Sequence, residues 1–197
     1  MRHNLSLTCV RYRLRPVTLE DAPFIVQLRK DPLLSRFMHE ISGSVEDQAT
    51  WIERYFERSG DYYFIVEDAH SGEAHGTIGL YEVADDASQA LFGRWIIRRG
   101  SMAALESAWL IYEVGFTLLR VGSIYTLALA QNLPVISFHD TFGASRIAVI
   151  DGRFRVRGEL HSAVEHRIKV SAWPAIRARH YSTITRLAHA DLKSVNV

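Results

Sequence analysis

The segment of this 197-residue sequence best suited to chemistry is a short turn between a predicted strand and a predicted helix. The turn reads Arg98-Arg99-Gly100-Ser101-Met102-Ala103-Ala104. The first turn of a helix has N–H groups without acceptors and the positive end of the helix dipole, so it favours a phosphate. The segment lacks the Gly-Lys-Ser/Thr ending of a Walker loop and the repeated glycines of a dinucleotide fingerprint. It predicts an anion cradle, although alone it also suits an ordinary helix start.

The elements around this turn follow from the spacing of apolar residues. Tyr62–Asp68 and Ala74–Val83 are β-rich and predict a hairpin, and Ala90–Ile97 predicts a third strand. A long helix is expected from about Met102 to Leu119, because its apolar residues recur at helical spacing. The turn therefore lies where a buried strand passes directly into a helix.

The flanking segments complete an α+β pattern. Arg11–Val17 predicts a strand, and two helices follow, one ending at Asp31-Pro32 and one beginning after Ser44. The remaining expectations are a strand at Ser123–Ala130, a short helix from Pro134 to about Asp140, strands at Ile147–Ile150 and Val164–Val170 around a turn at Asp151-Gly152, and helical pieces at Trp173–Arg179 and Ile184–Leu187. This order predicts a mixed, mostly antiparallel sheet with flanking helices.

Composition excludes several classes of protein. Lys and Arg number 23 against 22 Asp and Glu, giving a net charge of +1, too balanced for binding to nucleic acid or anionic lipid by bulk charge. The single cysteine, Cys9, excludes intramolecular disulfides and fits a reducing compartment. No apolar run approaches the roughly 20 residues of a membrane span, and the N-terminus lacks a secretory signal. We therefore expect a cytoplasmic protein without nucleic-acid, membrane or metal partners.

The turn, the order of the elements and the segment Asn132–Gly143 together resemble the GNAT superfamily of acetyl-CoA-dependent N-acetyltransferases. The resemblance covers about residues 13–173. It implies a single acetyltransferase domain over 1–197, with a core of about 11–175 and a C-terminal extension of about 176–197. Acetyl-CoA is then the expected co-substrate.

The resemblance also assigns the cofactor-binding residues. Family members bind the coenzyme A pyrophosphate with a helix-opening glycine pattern, matched here by Arg99–Ala104, in which Met102 replaces a common glycine. The preceding strand is expected to bind the pantetheine arm and polarise the thioester through backbone groups that a β-bulge leaves free. The expected cofactor-binding residues are Trp95, Ile96, Ile97, Arg98, Arg99, Gly100, Ser101, Met102, Ala103, Ala104 and Asn132.

Catalytic residues are implied by the same resemblance. His139 stands where many relatives have a tyrosine general acid, and imidazole could protonate the departing thiolate. Candidates for the base are Glu82 at the end of the hairpin, His39 and Glu40 between the first two helices, and Tyr125 on the later strand, and Glu82 is the one selected with His139 as catalytic. Met38, His39, Glu40 and Tyr125 are expected near the acceptor amine.

The resemblance narrows the acceptor amine to the substrates of two related branches of the family. The Arg29, Pro32 and Phe37-Met38 pattern resembles acetyltransferases of nucleotide-linked amino sugars, which places that branch slightly ahead of protein N-terminal acetyltransferases of the ribosomal-protein type. A non-catalytic acyl-CoA-binding or interaction domain is the alternative from another class, because Met102 alters the glycine pattern. A homodimer through an apolar sheet edge or the late strands is also left open.

Overall fold

A computed structural model describes residues 1–38 and 43–194, with side chains as far as His189. The strands are β1 (Leu7–Thr8), β2 (Tyr12–Pro16), β3 (Tyr62–Asp68), β4 (Ala74–Tyr81), β5 (Ala90–Ile97), β6 (Ser123–Leu129), β7 (Ser145–Val156) and β8 (Glu159–Lys169). The helices are α1 (Ala22–Lys30), α2 (Val45–Phe56), α3 (Ala103–Glu113), α4 (Leu133–Phe142) and α5 (Trp173–Ser194). The α+β prediction is confirmed.

The strands form one sheet in the order β1-β2-β3-β4-β5-β6-β8-β7. Neighbouring strands are antiparallel except β5 and β6, which run parallel and are connected through α3. A parallel connection needs such a crossover, whereas the antiparallel neighbours need only turns. The expected mostly antiparallel sheet is confirmed, and its parallel pair lies at the centre.

Helices cover both faces of the sheet. One cluster of buried side chains joins α1 and α2 to β3, with Ile25, Ile52 and Tyr55 at its centre. The larger cluster joins α3, α4 and α5 to the opposite face of β2 to β6, and Ile176 and Ile184 of α5 belong to it. The C-terminal segment therefore contributes directly to the main core.

Local signals explain where the first helices begin and end. The backbone N–H of Thr18 donates to Asp21 Oδ2 at 2.7 Å just before α1, and Asp31 is extended ahead of Pro32. The Ser44 hydroxyl accepts from the Asp47 N–H at 2.9 Å at the start of α2. Both starts and the first helix end agree with the sequence-based predictions.

The predicted turn at Asp151-Gly152 is wrong. Both residues lie within β7, which pairs with β8 through a register shift between Ile150 and Phe154. The chain reverses instead at Arg157 and Gly158, which have φ values of 50° and 84°. Two successive positive φ angles suit the right-handed twist of a tight hairpin, so this pair makes the turn although Asp-Gly is the stronger sequence signal.

Three other expectations change. The two late helical pieces are one continuous helix, α5. The helix predicted to reach Leu119 is α-helical only to Glu113 and continues as a π-helical turn over Val114–Leu118. A short strand, β1, precedes the first predicted strand. Over the described ranges 1–38 and 43–194, no helix is long and apolar enough to cross a membrane.

Candidate active site

A cavity opens where the two parallel strands stop pairing. The ladder joins Ala90 to Ile124, Leu91 to Tyr125 and Phe92 to Thr126, and both strands then continue to the same edge of the sheet. A cavity of about 460 Å³ lies between the continuing segments 93–97 and 126–129. The segment after α1 and the start of α4 form its other walls, through Leu33, Leu34, Phe37, Met38, Asn132, Pro134, Val135 and His139.

A β-bulge shapes the β5 wall of this cavity. Thr77 pairs with Ile96 but Gly79 pairs with Gly93, so two residues of β5, Arg94 and Trp95, lie opposite a single residue of β4. Arg94 has a φ of 51°. Positive φ is costly for a residue with a side chain, and it persists where surrounding contacts fix it. The bulge expected from the resemblance is confirmed in β5.

Three contacts hold Arg94 in this conformation. Its guanidinium forms a two-pronged ion pair with Asp61 and lies over the Tyr81 ring, 4.3 Å from the centroid. Its carbonyl accepts a hydrogen bond from the Thr77 hydroxyl at 2.8 Å. The backbone of segment 93–97 is therefore held rigidly along the cavity.

The predicted anion cradle lies at the start of α3. Gly100 has a φ of 76° and an open space where a side chain would be, so glycine relieves strain in the turn. The Ser101 hydroxyl accepts from the Ala103 N–H at 3.1 Å and bonds to His75 Nδ1 at 2.7 Å. The N–H groups of Ala104 and Leu105 have no acceptor within the helix. Since the Ala104 side chain lines the cavity, cradle and cavity are adjacent.

His139 is buried at the inner end of the cavity. Its ring packs against Phe92 at 5.6 Å, Phe138 at 5.6 Å and Trp95 at 6.1 Å between centroids. Burial in this aromatic surrounding, followed by the effect of nearby His166, lowers the pKa of His139 to about 3. The imidazole is therefore neutral at physiological pH.

Glu82 and Tyr125 form a pair outside the cavity. The Tyr125 hydroxyl donates to Glu82 Oε2 at 2.8 Å in an exposed position. Burial, followed by the bond to Glu82, raises the pKa of Tyr125 to about 12. Successive side chains of a strand alternate between faces, so Tyr125 points to the face of β6 opposite Thr126 and α4.

A second, smaller cavity adjoins the first. It measures about 270 Å³ and shares Phe37 and Leu129 with the larger one. Its polar lining comes from the segment after α1, the loop after β6 and the β7–β8 hairpin, and consists of Arg36, Gln131, Arg157, Glu159 and His161. The larger cavity thus continues toward a polar surface that includes two arginines.

Comparison with known proteins decides the family. Residues 11–145 match the model described as the acetyltransferase (GNAT) domain. The chain belongs to the GNAT acetyltransferase family. It is therefore an acyltransferase.

Solved GNAT structures are similar over most of the chain. Apo FdhC, described as a nucleotide-linked sugar GNAT, has a TM-score of 0.76 and 28% identity, covering 90% of this chain and 97% of its own. A variant of the spermidine N-acetyltransferase SpeG from Vibrio cholerae has a TM-score of 0.72 and 20% identity, covering 83% and 96%. No curated protein sequence gives a significant match. The GNAT fold is thus supported independently of the domain match.

The structure brings seven of the predicted site residues of this GNAT chain together around the larger cavity. The residues that line the larger cavity include Met38, Trp95, Ile96, Ile97, Ala104, Asn132 and His139. Asn132 begins α4, and its side chain makes no capping hydrogen bond, so the amide remains available to a ligand. These groups occupy one connected surface.

Other predicted residues lie elsewhere. Arg98 pairs with Glu73 at 2.6 Å, and the Ala103 side chain is fully buried in the core. Arg99, Gly100 and Met102 are exposed around the cradle. Glu82 and Tyr125 are outside the cavity, while predicted residues 39 and 40, His39 and Glu40, lie outside the described residues.

Sequence reasoning missed Thr126 and His166. Thr126 lies in β6 between buried Ile124 and Ala128, on the face toward α4, and lines the cavity. A polar residue at a buried position of an alternating strand was the available signal. His166 lies opposite Thr126 on β8, and only the strand pairing reveals that proximity.

Proposed function

We propose that this acetyltransferase transfers an acetyl group from acetyl-CoA to the primary amine of a nucleotide-linked amino sugar. The observation that carries the acceptor class is the similarity to FdhC, at 28% identity and 97% coverage of that chain. The second cavity supports it, because Arg36 and Arg157 suit the anionic groups of a sugar nucleotide.

The residues present fit acetyl-CoA, which supplies an acyl carbon activated as a thioester. The start of α3 offers N–H groups to a pyrophosphate, and the Asn132 amide is uncommitted. The bulged segment 93–97 and the facing segment 126–129 offer backbone groups along the 460 Å³ cavity. The narrow pantetheine arm of the cofactor would lie between the two strand edges and extend from the cradle to His139.

His139 supplies the proton chemistry in this proposal. The fraction of the acceptor amine that arrives as ammonium must lose a proton before its nitrogen can attack. As the nitrogen bonds to the acyl carbon, the C–S bond breaks and its electron pair goes to sulfur. A second N–H proton ends on that sulfur, so each turnover releases one proton to solvent.

The neutral imidazole of His139 can accept a proton, and once protonated it can serve as the acid for the departing thiolate. It lines the cavity, which gives it access to the reacting atoms. Glu82 remains the alternative base, because an exposed carboxylate can also accept the first proton.

Binding of acetyl-CoA is the first test. Calorimetric titration is expected to show saturable binding, and ligand at about a hundred times its dissociation constant should raise stability by about 2.7 kcal/mol. Ala104→Trp should weaken binding at least tenfold by filling the cavity beside the cradle, whereas Ala104→Ser should not. Absence of binding to the wild type at millimolar ligand would favour a non-catalytic domain.

The acceptor is tested by comparing nucleotide-linked amino sugars, N-terminal peptides and spermidine as substrates. The highest kcat/KM is expected for an amino-sugar nucleotide, and Arg36→Gln should raise its KM without altering acetyl-CoA binding. A peptide as the best substrate would replace this acceptor with the N-terminal alternative.

A further inference from the structure

Three buried polar atoms beside the cavity have no hydrogen-bond partner within the described residues. They are Thr126 Oγ1, His139 Nδ1 and His166 Nδ1. The exposed fractions of these residues are 3%, 3% and 0%. Buried polar groups are normally paired, because an unpaired one loses its hydrogen bonds to water without gaining others. Three in one place therefore need an explanation.

The three groups lie on the same face of the sheet. In the strand ladders, Thr126 stands opposite Phe92 on one side and His166 on the other. The His139 ring lies 5.6 Å from the Phe92 ring and 5.5 Å from the His166 ring, between centroids. His139 thus packs beside His166, whose strand neighbour is Thr126, so the three residues with orphan atoms are adjacent on one face of the sheet. Two to four converging polar groups are what a buried water needs.

His166 is connected to the protein surface through Asp140. His166 Nε2 donates to Asp140 Oδ1 at 3.1 Å, and Asp140 forms an ion pair with Arg146. The Asp140 side chain is 34% exposed, whereas His166 is completely buried. The sequence from the cavity to solvent is therefore His139, His166 and Asp140.

We infer that Thr126, His166 and one ordered water form a proton relay from His139 to Asp140, which removes the proton released in each acetyl transfer. The relay rests on the proposed transfer to an amine. A proton accepted by the cavity-facing nitrogen of His139 leaves from its Nδ1 through the water to His166 Nδ1. The proton on His166 Nε2 passes to Asp140 and solvent, and return of both rings to their first tautomer resets the path.

The electrostatic surroundings favour outward transfer. The hydrogen bond from Arg146 lowers the pKa of Asp140 to about 2, so the carboxylate stays charged at the surface end of this path. The groups packed against His139 are the aromatic rings of Phe92, Trp95 and Phe138 and the ring of His166. Burial therefore disfavours a proton on His139, and the negative charge that attracts one lies toward the surface, at Asp140.

Substitutions at Thr126 provide a matched test. Thr126→Val keeps the shape but removes the hydroxyl, and Thr126→Ser keeps the hydroxyl. At pH 7 we expect Thr126→Val to lower kcat about tenfold with KM and acetyl-CoA affinity unchanged, and Thr126→Ser to retain activity. Equal activity of the valine and serine variants would overturn the relay.

The pH profile separates a relay from a packing role. His166→Phe and Asp140→Asn should also lower kcat, and the deficit should shrink as the pH rises through the pKa of the acceptor amine, because the amine then arrives neutral. A deficit that is constant across pH would overturn the relay. If His166→Phe does not fold, Asp140→Asn and the Thr126 pair still give this comparison.

The proposed function and the relay fail in different ways. A wild-type protein that acetylates no amine in the substrate panel would overturn both. An active wild type with unaffected Thr126→Val and Asp140→Asn variants would overturn the relay alone.

Discussion

Two buried polar clusters lie on the same helical face of the sheet, and they differ in how completely their hydrogen bonds are made. Glu106 in α3 accepts from the backbone N–H groups of Val10, Arg11 and Tyr12 at 2.7, 2.8 and 2.9 Å. In the second cluster Thr126, His139 and His166 each retain an orphan atom. The first cluster is saturated, since Glu106 accepts from all three N–H groups, and it fixes the chain before β2. The second is unsaturated, since three of its polar atoms have no partner among the described residues, and it borders the cavity. The two clusters are similarly buried, but the Glu106 cluster stabilises the fold, whereas the cluster of Thr126, His139 and His166 lies where the chemistry is proposed to occur.

The largest expected effect is on catalysis by the unsaturated cluster. His139→Phe should lower kcat by about 10²- to 10⁴-fold, because the proton acceptor is removed from the cavity. Its unfolding free energy should change by less than about 1.5 kcal/mol, since a ring of similar size fills an aromatic site. Steady-state kinetics and urea unfolding measure both quantities. Wild-type kcat in this variant would contradict the proposed role of His139.

The converse change targets the saturated cluster. Glu106→Ala should lower the free energy of unfolding by about 3 kcal/mol or more, because it leaves three backbone N–H groups without their acceptor. The exposed Glu53→Ala in α2 serves as a control and should stay within about 0.5 kcal/mol of wild type. A Glu106→Ala protein as stable as this control would show that the cluster does not hold the fold.

A smaller effect concerns pH. Folded His139 has a pKa of about 3, against about 6.5 in the unfolded chain, so only the unfolded state takes up this proton between those values. Stability from this source is full above pH 6.5 and is lost as pH falls toward 3. Between pH 7 and pH 5 the free energy of unfolding should therefore fall by about 2 kcal/mol more in wild type than in His139→Phe. Parallel stability curves would show that His139 is not held neutral.

The smallest effect is expected at the exposed pair. Tyr125→Phe and Glu82→Gln should each change stability by less than about 1 kcal/mol, because solvent competes for their hydrogen bond. We expect kcat/KM to fall by less than tenfold in both variants. A hundredfold loss in Glu82→Gln alone would move the role of base from His139 to Glu82.

The sequence was sufficient for the elements that depend on local signals. Pro32, the Ser44 cap and the β-rich runs of β3 to β5 act within a few residues, and the elements they predict agree with the structure. The β7–β8 reversal depends instead on pairing across the hairpin, which moved the turn from Asp151-Gly152 to Arg157 and Gly158. Local turn preference was overridden by the register of two long strands.

The candidate site was predictable only in part for the same reason. The cradle and the start of α4 are contiguous segments, so family resemblance locates them. Thr126 and His166 are 40 residues apart and become neighbours only through the β6–β8 ladder. Glu82, chosen for its place at a strand end, faces Tyr125 because strand alternation turns that side chain away from α4.

The parallel pairing of β5 and β6 has a consequence for how this enzyme can diversify. Because α3 connects these two strands, its N-terminus and the carboxyl ends of both strands meet at one edge of the sheet. The proposed cofactor contacts there come largely from main-chain atoms, which most substitutions leave in place. The segment after α1 and the β7–β8 hairpin border the adjoining cavities at the periphery. Acceptor preference can therefore evolve in these peripheral segments while the acyl-transfer apparatus is inherited unchanged.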